Sequence, residues 1–229
     1  MLTLTTNALH THTSSNRVTP RPSVAGHHAL GASLDIIGAP MSFARNEEIY
    51  GEGENAEYLY KVVSGGVRVY KMLDDGRRQI GAFYLPGDVF GLESGDEHGS
   101  SAEALCETRV LVFKRSAVLA QANRDSEVAR ELWGMTAREL QRAQDHILLL
   151  IKSARERLAS FLLEMATRLS TLNEVELPMS RQDIADYLGL TIETVSRTLT
   201  RLEGSSAIAL PSSRHIVLRS RAVLNRLDS

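Results

Sequence analysis

Between Pro178 and Glu203 the chain carries two short amphipathic segments joined at one glycine, a pattern that few backbone arrangements satisfy. Met179-Ser180-Arg181-Gln182-Asp183 reads as a helix start, with Ser180 at the N-cap and Asp183 three residues on, where a carboxylate faces the positive helix end. Pro178 helps to stop any earlier element. Ile184, Ala185 and Leu188 supply an apolar face, and Gly189 permits a sharp turn. Thr191 is placed to cap a second helix that holds Val195, Leu199 and Leu202 on its buried side. Small Ala185, then Gly189, then Val195 lets two helices cross closely, so the segment is predicted to be a helix-turn-helix.

On the second helix Glu193, Ser196 and Arg197 stand at i, i+3 and i+4, one face near the N-terminus and rotated away from Val195 and Leu199. An exposed Arg can bond both acceptors of a guanine, a Glu can accept from cytosine, and a Ser can meet bases or phosphate. The three residues suit base readout in a major groove, whereas the plain alternative is an ordinary Glu–Arg surface pair. Downstream, Ala207–Leu210 and His215–Leu218 read as two strands joined by Pro211-Ser-Ser-Arg214, the wing of a winged helix-turn-helix. Arg214, with Arg181, Gln182, Thr191 and Thr194 at the two helix starts, is expected to touch phosphates and set register.

Upstream the periodicity is different. Ile49-Tyr50, Tyr58–Val63, Val67–Tyr70, Gln79–Phe83 and Val110–Phe113 read as short strands, punctuated by Ser64-Gly65-Gly66, Asp74-Asp75-Gly76 and Pro86-Gly87-Asp88. Strands at such spacing predict a rolled antiparallel sheet, a small β-barrel. From Ser126 the spacing turns helical, with Val128, Leu132, Met135, Leu140, Ile147 and Ile151 on a stripe about seven turns long. A stripe of that length is expected to be a dimer seam; the alternative is that it packs on its own barrel. A further helix, Ala154–Leu169, follows a break near Ser153, and Asn173–Pro178 reads as a turn or short strand. The chain thus divides into a tail (1–33), a β-roll (34–125), a dimerisation helix (126–152) and a winged helix-turn-helix (153–229), an α+β protein.

Composition limits the function classes. With 43% hydrophobic and 24% charged residues the 229-residue chain suits a folded soluble protein. Its longest aliphatic run, Ile147–Ile151, is far too short to span a bilayer, and Met1–Leu9 lacks the basic and apolar regions of a secretory signal. No membrane association and a cytoplasmic location are expected. Residues 1–151 carry 15 Lys/Arg against 19 Asp/Glu, net −4, and residues 152–229 carry 11 against 9, net +2. The weakly basic C-terminal part suits double-stranded DNA. His10, His12, His27 and His28 lie in a Thr/Ser/Asn-rich tail that offers a metal no fixed geometry. The strands show no clustered His and Glu ligands, which argues against an enzyme on a cupin-like barrel. Cys106 reads as a small buried packer on a strand, His98 as an exposed loop residue that could ligate haem in a gas-sensing barrel, and Trp133 as a packing residue or an anchor at the dimer seam.

A β-roll, a long helix and then Arg181-Gln-Asp-Ile-Ala-Asp-Tyr-Leu-Gly-Leu-Thr-Ile-Glu-Thr-Val-Ser-Arg197 resemble the Crp/Fnr family of bacterial transcription regulators over residues 36–227. Within it, Glu193-x-x-Ser196-Arg197, preceded by Ala154-Arg-Glu-Arg-Leu-Ala-Ser-Phe161, is similar to the Fnr and FixK branches. The resemblance implies a homodimer that reads palindromes with TTGAT and ATCAA half-sites through Glu193, Ser196 and Arg197. It also implies activation by touching RNA polymerase, with the 74–78 hairpin as one candidate contact. Cyclic-nucleotide-binding members carry a Glu directly after the Phe-Gly of the cassette and an Arg-Ser pair about ten residues on. Here those places hold Leu92, after Phe90-Gly91, and Ser100-Ser101, so a cyclic phosphate loses its charge-assisted partner; Glu93 and Arg109 are the residues left for a displaced pose. The oxygen-labile iron–sulfur cluster of Fnr needs several cysteines, and the chain has one. The expectation is therefore a FixK-like activator of low-oxygen respiration or nitrogen-fixation genes that works without a cofactor. A ligand-gated sensor, with haem or another small molecule in the roll, is the alternative.

Overall fold

A computed structural model describes residues 38–171 and 173–228. The tail of residues 1–33, with its four histidines, lies outside the described residues.

Eight strands form the N-terminal roll: β1 (Ala39–Phe43), β2 (Glu48–Tyr50), β3 (Tyr58–Ser64), β4 (Val67–Met72), β5 (Arg78–Tyr84), β6 (Val89–Phe90), β7 (Ser101–Ala104) and β8 (Thr108–Lys114). They make two four-stranded antiparallel sheets, ordered β1-β8-β3-β6 and β2-β7-β4-β5. Alternation along the strands turns Tyr50, Val62, Val67, Phe90, Ala102 and Val110 into one buried layer between the sheets. Gly65, between β3 and β4, has φ +84°, and a Cβ there would lie 2.5 Å from the Glu107 carbonyl, so only glycine closes that turn. Strand β1 contains Pro40, which sequence reading passed over; it sits at a sheet edge, where a missing N–H is tolerated.

A short helix, α1 (Arg115–Ala122), leads into α2 (Ser126–Leu150), whose 25 residues extend about 37 Å. Asp125 caps α2 by accepting from the Glu127 amide. The break falls at Ser153, which forms a reciprocal capping box with Glu156 and starts α3 (Ala154–Arg168). The C-terminal part then runs β9 (Glu174–Glu176), α4 (Arg181–Leu188), α5 (Ile192–Gly204), β10 (Ile208–Ala209), β11 (His215–Leu218) and α6 (Arg221–Asp228). Strands β10-β11-β9 form a small antiparallel sheet beside the helices. One apolar core joins the two parts: Ile80, Phe83, Leu85 and Leu105 of the roll pack in the same cluster as Phe161, Leu162, Tyr187 and Leu199.

The structure corrects the apolar stripe of α2, which is two stripes on different sides of the helix. Val128 is 0% exposed and packs with Leu59, Leu111, Phe113 and Val118 of its own chain, with Leu132 and Met135 beside it. Val128 is therefore covered within its own chain, while Leu132 and Met135 pack on the same cluster and stay half-buried. Leu140, Ile147 and Ile151 are exposed on the other side, in line with Trp133, at 76% exposure, and Ile151 is at 79%. The two stripes are centred roughly 120° apart around a helix of 3.6 residues per turn. Three smaller readings also change. Cys106 lies in a bend between β7 and β8 and is half-buried. His98 is only 2% exposed, its ring stacked on Tyr50 at 3.6 Å between centroids. In the 74–78 hairpin Arg78 turns inward to pair with Asp183 and Asp186, leaving Asp74, Asp75 and Arg77 outside.

Candidate nucleic-acid interface

Local sequence chemistry builds the two helices that carry the site. The Ser180 hydroxyl accepts from the Asp183 amide at 3.1 Å, and the Asp183 carboxylate accepts from the Ser180 amide at 2.9 Å, so both first-turn donors are satisfied. Helix α4 ends at Gly189, φ 61° and ψ 39°, in the left-handed region. Two residues later Thr191 accepts from the Thr194 amide at 3.2 Å and starts α5. Ile184, Ala185 and Leu188 of α4 and Val195, Leu199 and Leu202 of α5 are buried together, which fixes the crossing. Gly189→Ala is expected to destabilise the protein by about 1–2 kcal/mol, because an L side chain is strained in that conformation. The cost is conformational: a Cβ there meets Arg157 and Leu150 only at 3.5 Å, an ordinary contact. Urea unfolding of the variant checks this, and an unchanged midpoint would contradict it.

With the helices placed, the candidate DNA-reading residues can be located. Glu193 and Arg197 are exposed on α5, and Ser196 between them is half-buried. The Glu193 backbone amide and the Thr191 hydroxyl hold the Glu193 carboxyl below the usual range, so it is an acceptor at neutral pH. Arg181 leans across from α4, its guanidinium 3.5 Å from the Ser196 hydroxyl. Its buried Nε has no hydrogen-bond partner. Gln182 is exposed and donates to Asp186 at 2.6 Å. The Thr191 and Thr194 hydroxyls lie 3.1 Å apart at the start of α5. Arg214 is half-buried just before β11, its carbonyl accepting from the Leu177 amide at 2.9 Å. Arg181 and Ser196 thus meet across the α4–α5 crossing, Gln182 bonds within α4, and Arg214 lies outside both helices, just before β11.

Sequence reading missed the residues that tie this module to the roll. Arg68, on β4, is buried and reaches Asp183 at 3.0 Å, Asn46 at 3.1 Å and Glu103. Arg78, on β5, reaches Asp183 at 2.7 Å and Asp186 at 2.8 Å. A second tie runs through Asp88, which accepts from Arg142 of α2 at 2.6 Å and Arg168 of α3 at 2.7 Å. Burial would raise the Asp88 carboxyl, but the Leu85 amide and the two arginines outweigh it and hold it below the usual range. In the sequence Arg68 merely alternates with Val67 and Val69 as an outward-facing strand residue would. It is buried because α4 covers that outer face.

Among the described residues no group of three or more His, Cys, Asp and Glu is placed to hold a metal ion, and no helix is long and apolar enough to cross a membrane. Inside the roll Tyr50 stacks on His98, and Tyr60 and Tyr84 pack on Phe90 with centroids 5.0 and 5.3 Å apart.

A roll, a long helix and a capped helix-turn-helix with a wing define a class that sequence comparison identifies: the chain belongs to the Crp/Fnr family of DNA-binding transcription regulators, which are not enzymes. Residues 40–125 match the cyclic nucleotide-binding domain model and residues 156–227 the Crp-like helix-turn-helix model. The nitrogen fixation regulation protein FixK of Azorhizobium caulinodans is 57% identical, covering 84% of this chain and 80% of its own length. FixK of Rhizobium meliloti is 43% identical over 82% of this chain and 90% of its own. The solved structure of FixK2 from Bradyrhizobium japonicum superposes with a TM-score of 0.82 at 55% identity, covering 85% of this chain and 98% of that one.

Proposed function

We propose that this chain is a FixK-like activator that binds TTGAT/ATCAA palindromes as a homodimer, in the cytoplasm, and switches on low-oxygen respiration or nitrogen-fixation genes through RNA polymerase. The observation that carries the reading is the exposed Glu193 and Arg197, with Ser196 between them, at the N-terminal end of a recognition helix. That is the place from which a helix in a major groove reaches base edges. The names of the two FixK relatives support the gene programme. In this reading residues 34–125 form the roll, 126–152 the dimerisation helix and 153–229 the DNA-binding module. The seam consists of Leu140, Ile147 and Ile151 together with Trp133, an apolar line left uncovered in a single chain. Arg181, Gln182, Thr191, Thr194 and Arg214 are the phosphate-side residues.

The protein works without a bound small molecule. Supporting this, aromatic rings occupy the roll interior, and Leu92 and Ser100-Ser101 stand where a cyclic phosphate needs charged partners. His98, held between Tyr50 and Glu93, is not presented to an open haem site.

Fluorescence anisotropy on a labelled TTGAT/ATCAA duplex tests the reading, using protein purified in air, at stated salt, with and without cyclic AMP. Specific binding is expected without additive and unchanged by the nucleotide. Adding half a helical turn between the half-sites is expected to abolish it, since the two recognition helices then face opposite sides of the duplex. Binding that appears only after a ligand is supplied would make the roll a sensor instead.

A further inference from the structure

The Asp183 carboxylate divides its two oxygens between different tasks. Oδ2 accepts from the Ser180 amide at 2.9 Å and the Ser180 hydroxyl at 2.6 Å, which starts the first helix of the DNA-reading pair. Oδ1 accepts from Arg68 at 3.0 Å and Arg78 at 2.7 Å, both on the outer face of the roll. The arginines are themselves held. Glu103 and Asn46 anchor Arg68, Glu103 in turn accepts from the Tyr70 hydroxyl at 2.6 Å, and the Arg78 guanidinium lies 5.5 Å over the Tyr70 ring. Asp186, one turn along α4, takes the other side of Arg78 at 2.8 Å. Beside the charges, the Phe83 ring of β5 packs against Tyr187 of α4 with centroids 5.0 Å apart.

A charged pair that is buried and multiply hydrogen-bonded is strongly directional, unlike apolar packing, which tolerates sliding. Helix α5 packs on α4 through Val195, Leu199 and Ala185. Whatever fixes α4 against the roll therefore fixes the direction of the recognition helix. Burial alone would raise the Asp183 carboxyl, yet Ser180 and the two arginines hold it low, so it stays charged in the cluster.

We infer that Asp183, gripped by Arg68 and Arg78, is a positioning residue that locks the recognition helix to the roll and so sets which separation of DNA half-sites the dimer accepts. This rests on the reading of the chain as a dimeric binder of palindromic DNA. The clamp is made wholly of the protein's own side chains, so the DNA-reading geometry is preset with no bound molecule.

The test uses the full chain with Arg78→Gln, chosen because Arg78 is partly exposed and its loss leaves the Ser180–Asp183 cap intact. Asp183→Asn is a second variant that removes the charge yet keeps an acceptor for the Ser180 amide. Three duplexes are titrated: the palindrome, the palindrome with its centre lengthened by one base pair, and a single half-site. For Arg78→Gln, affinity for the palindrome is expected to fall about tenfold, a typical coupling between linked sites, and preference over the lengthened centre to shrink. Half-site affinity should stay level, and Arg78→Lys should restore part of the loss. Asp183→Asn, which also loses the Arg68 pair, should repeat the pattern at least as strongly, and adding Arg78→Gln to it should cost less than Arg78→Gln costs alone, because the Arg78–Asp183 link is already cut. Equal losses on palindrome and half-site, an unchanged spacing preference, or no loss at all would overturn the clamp. A wild-type protein that binds none of the three duplexes would instead overturn the DNA reading itself, and the clamp's role with it.

Discussion

Replacing Ile147 and Ile151 together by glutamate is expected to convert the protein to a monomer and to lower its affinity for the two-half-site duplex by about 10²–10⁴-fold. Both side chains stand exposed on the line that also carries Trp133 and Leu140, at successive spacings of seven, seven and four residues, as a helical seam requires. Burying such an isoleucine against a second copy contributes about 1.5–3 kcal/mol, whereas a carboxylate forced into the same place without a partner costs several kcal/mol. Four new charges per dimer leave no favourable contact along that stretch. The recognition helices are untouched by the change, so each should still find a half-site, and the loss is one of linkage: the second binding event is no longer intramolecular. Sedimentation at micromolar concentration reads the first part and anisotropy the second. A dimer that persists in the double variant would place the seam elsewhere. Trp133 is the only tryptophan, so its emission reports independently whether the line is covered.

Arg197→Ala is expected to weaken binding at the correct site by about 1–3 kcal/mol and to relax preference at one base position. The guanidinium is exposed on α5, close enough to Glu193 to act on its charge, where its fork can meet both acceptors of a guanine, and a truncated side chain leaves those acceptors unmatched. The substitution leaves the buried side of the helix intact, since Val195, Leu199 and Leu202 hold α5 in place. Affinities measured across duplexes with each base at that position distinguish the role. Gln182→Ala, on the phosphate side, should weaken all of them alike. A uniform loss from Arg197→Ala would remove it from base reading.

The parts of this molecule that sequence reading reached are those decided within a few residues. Ser180 with Asp183, Gly189 and Thr191 announce two helix starts and the turn between them, because capping and positive φ are local demands. The alternating strands and their glycine turns were legible for the same reason. The stripe on α2 was not resolved, because periodicity along one helix does not say which of two apolar faces meets the roll and which meets nothing in its own chain. Val128 and Trp133 differ in that respect only once β8 and α1 are in place. His98 looked exposed because it lies in a loop rich in Gly, Ser and Asp, and its burial depends on Tyr50, distant in sequence. Arg68 followed strand alternation to the outside of the roll, and only the docking of α4 makes that outside an interior.

The core that runs without interruption from Ile80, Phe83 and Leu85 to Phe161, Tyr187 and Leu199 bears on how the chain comes apart. Neither the roll nor the helix-turn-helix owns all the apolar contacts that keep it folded, so the stability of each is coupled to that of the other. Heating should release both in one cooperative transition, with amides in β5 and α4 exchanging together. Damage to the roll, however far from DNA, is then also damage to the grip on DNA.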